Sequence, residues 1–127
     1  MEDGICHVPI SIGELYDKYT ILQIKRERIE DGKKLAIINK ELGYLTKHVD
    51  TFRVDTLLVK ELKTVNELLW HTEDSIRDKE RRKEFDTEFV SLARKVYITN
   101  DIRSQIKNKI NSSINSALTD IKSYSEY

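Results

Sequence analysis

Residues 66–77 set an amide, an indole, a carboxylate and a guanidinium at three- and four-residue intervals: Asn66, Trp70, Glu73 and Arg77. On a helix this spacing stacks the four side chains along one strip. Trp and Arg are the residues that most often anchor binding surfaces, and an amide beside a carboxylate can orient a polar ligand. The plainer reading has Trp70 covering a neighbouring helix while Glu73 and Arg77 pair across one turn. It takes precedence, because helical contact faces are broad. Arg26 and Arg103 raise a different question, since each interrupts an otherwise apolar stripe. A buried Arg must find a carboxylate or reach out to water. Asp17, Glu61, Glu73 and Asp101 are the acids on offer, and Asn100 could complete either a structural polar layer or an anion site. The layer is the simpler of the two. Asp17-Lys18 likewise reads first as part of an interhelical salt bridge and only second as a site.

Metal and enzyme chemistry fare less well. Glu67, His71, Asp74 and Asp78 share a helix face and include ligand types. That face points away from the core, with nothing to orient the ligands, so no metal site and no cofactor is expected. Glu14-x-x-Asp17 and Glu27-x-x-Glu30 have the spacing by which all-helical nucleotide pyrophosphohydrolases hold magnesium, but no matching acid pair follows on the third helix. Arg26, Arg28 and Arg103 only faintly suggest the cationic cluster of a helical chorismate mutase. No Cys–His nucleophile pairing, glycine-rich phosphate loop or serine elbow is evident, so no catalytic residue is assigned.

The elements that must position these residues are helices. Over residues 55–79, Leu58, Leu62, Val65, Leu69, Thr72 and Ile76 form the alternating three–four stripe of a bundle or coiled-coil seam, uninterrupted by Pro or Gly. Upstream, Ile5–Ile10 is short and β-leaning with Pro9 near its end, which predicts an extended arm. Ser11 and Glu14 have capping-box spacing and open a first helix expected to run to about Asp31, with Gly32 as its left-handed stop. This helix is apolar on two sides: Leu15, Tyr19, Leu22 and Ile29 on one, Ile21 and Ile24 on the other. It belongs either in the middle of the bundle or at an oligomer contact. A second helix is predicted over 34–50 and a fourth from about Phe85 to the Asn- and Ser-rich run 111–116, where local hydrogen bonds compete with helix. Leu118, Ile121 and Tyr124 could dock an irregular tail on the bundle. The expected fold is therefore all-α, a single-domain antiparallel bundle of four main helices over residues 1–127.

Several of these segments also resemble a family of short bacterial and phage proteins known only as a domain of unknown function. The likeness rests on SIGELYDKYTILQIKRERI (11–29), NELLWHTEDSIRDKE (66–80), FVSLARKVYITNDIRSQIKNKIN (89–111) and DIKSY (120–124). Members usually carry Pro where this chain has Ile12, and an acidic pair where it has Asp120-Ile121. The resemblance implies a cytosolic helical protein and supplies no reaction.

Charge and composition narrow the partners. Lys plus Arg and Asp plus Glu both number 22, so the formal charge is zero. The basic residues Arg94, Lys95, Arg103, Lys107 and Lys109 are scattered around their helix, so nucleic-acid binding is not expected. Neither a signal peptide nor a bilayer-spanning stretch is evident, and a lone Cys6 suits a reducing compartment, so a cytoplasmic protein is expected. The leading functional reading is a non-enzymatic interaction or scaffolding module, a homodimer with a possible protein partner. The competing one is a binding protein or enzyme for an anionic metabolite or nucleotide, its polar site between helices one, three and four built from Asp17, Asn66, Glu73, Asn100 and Arg103.

Overall fold

The computed structural model describes residues 4–127, and every regular element among them is an α-helix: α1 (Ile12–Arg28), α2 (Gly32–Val49), α3 (Thr56–Arg82) and α4 (Thr87–Ser113). Each helix starts on a side-chain oxygen that takes an otherwise unbonded amide. Ser11 accepts from Glu14 N, Asp31 from Lys33 and Lys34 N, Asp55 from Leu57 N, and Asp86 from Phe89 N. A cap of this kind is worth about 1 kcal/mol. The capping box predicted at Ser11 is only half formed, because the Glu14 carboxylate accepts instead from Lys107 Nζ at 2.7 Å.

The assignment of Gly32 as the stop of the first helix is corrected. α1 ends at Arg28, Ile29 is extended, and Gly32 is the first residue of α2 beneath the Asp31 cap. Arg26, placed in the apolar stripe by spacing, is exposed in the last turn of α1. α3 runs past the predicted Lys79 to Arg82 because the charged run holds no breaker, and Lys83 closes it in the left-handed region at φ 55°. Glu84 N then donates to Lys79 O and Lys83 N to Glu80 O, which satisfies the last carbonyls.

α1 lies in the middle. It packs against each of the other three helices, α3 packs along α4, and α2 packs on α1. Its second apolar side is used inside the chain, with Ile24 fully buried. One core cluster joins Leu15, Tyr16, Val49, Leu62, Ile106 and Ile110; a second joins Leu22, Ile38 and Leu42. Tyr16 also donates its hydroxyl to Val49 O at 2.9 Å and Phe52 O at 3.2 Å, tying α1 to the end of α2. Gly13 lets α1 approach α4: a Cβ there would lie inside contact distance of Lys107 O and 2.9 Å from Asn111 Oδ1. None of the helices among the described residues is long and apolar enough to cross a membrane.

α4 closes in the manner of α3, with Asn115 left-handed at φ 55° and Ser116 N donating to Asn111 O at 2.8 Å. The remaining tail has no regular structure, yet it is tied to α4. Asn108 Nδ2 donates to Asp120 O at 2.9 Å, while Asn108 Oδ1 accepts from Asp120 N at 3.0 Å and from Thr119 Oγ1 at 2.6 Å. Ser104 Oγ donates to the Asp120 carboxylate.

Candidate functional site: a buried carboxylate layer and the face beneath the tail

Two polar constructions involve α4 between Tyr97 and Asn111, and Asn100 borders both. The first is centred on Asp17, whose carboxylate is 1% exposed. Arg103 crosses from α4 and donates through Nε to Asp17 Oδ1 at 2.8 Å and through Nη2 to Oδ2. Its Nη1 donates to Asn100 Oδ1 at 3.3 Å. From α3, Asn66 Nδ2 donates to Asp17 Oδ1 at 3.0 Å and to Thr20 Oγ1 at 3.1 Å, while the Thr20 hydroxyl donates to Asp17 O at 3.0 Å. Isolated, a carboxylate this deep would cost several kcal/mol of desolvation; here three donors and a full positive charge compensate it. The Asp17 hydrogen bond holds the Arg103 guanidinium above its usual range. Among the described residues no buried side-chain nitrogen or oxygen lacks a hydrogen-bond partner. The arrangement fixes three helices in register.

Of the residues predicted to form a site, Asp17, Asn66, Asn100 and Arg103 thus converge, joined by Thr20, which spacing alone did not single out. The rest do not. Glu73 accepts from Arg77 Nε at 3.1 Å across one exposed turn, Trp70 is half-buried beside them, and Lys18 is exposed 3.8 Å from Glu14. The acidic face dissolves in the same way: Glu67 meets Arg28 at 3.5 Å and Asp78 meets Arg82 at 3.0 Å. No three His, Cys, Asp or Glu side chains among the described residues are grouped to hold a metal ion.

The second construction is the face of α4 under the tail. Tyr97, Asp101, Ser104 and Asn108 follow the same three–four spacing as the apolar stripe, on another side of the helix, and Asn111, next in the series, is buried where its Oδ1 accepts from Gly13 N of α1 at 2.6 Å. Tyr127 donates its hydroxyl to Asp101 Oδ2 at 2.6 Å and meets the Tyr97 ring edge-on, the centroids 5.3 Å apart. That hydrogen bond to Asp101 raises the Tyr127 pKa above the ordinary tyrosine value. Lys122 Nζ stands 5.4 Å from the centre of the Tyr124 ring. Two adjoining cavities open between helix and tail. One of about 440 Å³ is walled by Val96, Tyr97, Tyr124 and Tyr127 over Asn100 and Asp101; the other, about 620 Å³, is more polar and adds Asp120 and Glu126. The signal that could have revealed this face is the polar series Asp101, Ser104 and Asn108 at three–four spacing, which is too regular for a random surface.

A model for a family of unknown function, DUF6165, matches residues 6–127. The chain belongs to this family. No curated protein and no solved structure gives a significant match. Within this DUF6165 chain both constructions lie inside the matched region, as do all four helices. At position 12, the Ile12 N–H donates to Ser116 Oγ at 3.1 Å, a bond a proline there could not make. The side chain of Asp120 is equally committed, to Ser104.

Proposed function

We propose that this DUF6165 chain is a non-enzymatic protein-interaction module whose binding face is the groove between α4 and the tail, and that its occupant is an extended basic segment of a partner protein. One observation carries this reading. The tail is anchored by Asn108 and Ser104, yet it leaves Ile121, Tyr124 and Tyr127 79%, 80% and 76% exposed beside Tyr97 at 44%. Folding ordinarily hides such side chains, and tyrosine held in place by polar anchors is a favoured interface residue. The sign of the partner follows from the walls. Asp101, Asp120 and Glu126 line the larger cavity against Lys122, so this face is locally acidic on a chain whose total charge is zero.

A second reading keeps one specific support. Arg103 uses three of its five N–H groups on Asp17 and Asn100, and its side chain is 28% exposed, so its outer edge could take an anion. The homodimer reading rests on Trp70 once the second side of α1 is accounted for inside the chain. A cytoplasmic setting fits the exposed, unpaired Cys6. The three occupants separate in one nuclear magnetic resonance titration with a basic peptide, an acidic peptide and inorganic phosphate, alongside light scattering. The expected result is saturable shifts at Tyr97, Asp101 and Ile121 with the basic peptide only. Shifts confined to Arg103 with phosphate, or a doubled mass with changes centred on Trp70, would replace it.

A further inference from the structure

The smaller cavity carries more information than its position. Its walls are three tyrosine rings, Tyr97, Tyr124 and Tyr127, with the aliphatic Val96, and its charged groups are the Asp101 carboxylate and the Lys122 ammonium. Tyrosine faces are electron-rich and attract cations, and a nearby carboxylate adds its own attraction. Asp101 is fixed at the rim by the 2.6 Å hydrogen bond from Tyr127, which also orients that ring against Tyr97. At about 440 Å³ the space suits a small organic group. The chain itself shows what kind: Lys122 Nζ already sits 5.4 Å from the centre of the Tyr124 ring, an alkylammonium of the molecule's own resting on the aromatic wall. An anion would meet the Asp101 carboxylate, which repels it, with Lys122 as its single charged attraction.

We infer that the cavity walled by Tyr97, Tyr124 and Tyr127 is an alkylammonium site that takes the head of a partner's lysine side chain, with Lys122 as its internal competitor. This assignment rests on the protein-interaction reading and gives it its specificity. The guest's methylenes lie along Val96 and the rings, and its ammonium is shared between the Tyr124 face and Asp101. Lys122 swings outward when a guest enters, so the resident lysine weakens binding where a cation is bound and would strengthen it where an anion is.

That difference in sign is the test. n-Butylammonium and n-butyrate, matched in length and opposite in charge, are titrated into the full chain while the tyrosine ring resonances are followed. Saturable ring shifts are expected with butylammonium alone. Tyr124→Ala and Asp101→Asn should each weaken it by about fivefold or more, and Lys122→Ala should tighten it. Tyr124 and Lys122 are exposed, so circular dichroism should show those two variants folded like the parent. Preference for butyrate, or weaker butylammonium binding in Lys122→Ala, overturns the assignment. A basic peptide that binds where butylammonium does not overturns the ammonium site and leaves the interaction module standing. Butylammonium binding without any peptide binding does the reverse.

Discussion

Asp17 is the residue on which the packing of three helices turns. Its partner cannot be removed without leaving a buried charge, so Arg103→Ala should cost about 3–5 kcal/mol, whereas Asp17→Leu combined with Arg103→Met should recover most of that. Urea denaturation of the single and double variants checks this, and equal losses in both would contradict it. Gly13 makes the second prediction. Because a Cβ there meets the Lys107 carbonyl and Asn111, Gly13→Ala should destabilise by about 1–3 kcal/mol despite alanine's better helix propensity. Tyr16 gives the third. Burial, followed by the charge on Asp50, raises its pKa above the ordinary 10.0. The unfolded chain therefore releases this proton first, and stability falls as pH rises above that value. Tyr16→Phe should lose about 1 kcal/mol at neutral pH, where both hydroxyl bonds are missing, but decline less steeply in alkali. The Asp17–Arg103 pairing was legible from sequence as one of four possible acids for a stranded Arg. Choosing among them was not, because spacing along each helix does not say which helices meet at which height, and only the packing of α1 against α4 brings Asp17 to Arg103.

At the scale of elements, the α3–α4 connection shows how charge replaces a breaker. Lys79 is buried at the end of α3 and donates to Asp86 at 2.9 Å, with Glu84 and Glu88 both at 3.2 Å. Its ammonium is raised above the usual lysine range, chiefly by the Asp86 hydrogen bond. Asp86 is held below the ordinary 3.8, first by Lys79 and then by the Phe89 amide that it caps. A carboxylate whose folded pKa is depressed contributes stability above its unfolded value and loses it as pH falls through the folded one. Acidification from about pH 4 downward should therefore release the start of α4 before the core opens. Hydrogen exchange at the Phe89 amide, measured against a core amide such as Ile110, checks the order; simultaneous loss would contradict it. The seam leucines of α3 and the Ser11 cap were readable in advance because periodicity and capping are local. The helix limits at Gly32 and Arg82 were not, since Asp31 competes as a cap and Lys79 organises its turn through acids five to nine residues away.

On the scale of the molecule, the interior is closed and the tail side is open. Thr20, Asn66 and Arg103 complete Asp17, the two apolar clusters fill the remainder, and the strip from Trp70 to Arg77 resolves into an indole half-covered beside a surface ion pair. The tyrosine-rich tail on α4 is left outward, with cavities between it and the helix. That face could not be read from the chain because it joins residues 97–108 to 120–127, and a tail without periodicity gives no sign of where it lies. The most direct test of the account is the affinity of the full chain for a lysine-containing basic peptide, measured calorimetrically in the parent and in Tyr124→Ala/Tyr127→Ala. Both side chains are mostly exposed, so the melting temperature should barely change while affinity falls about tenfold or more. Unchanged affinity in that variant, or an equal loss produced instead by Trp70→Ala, would place the binding face elsewhere.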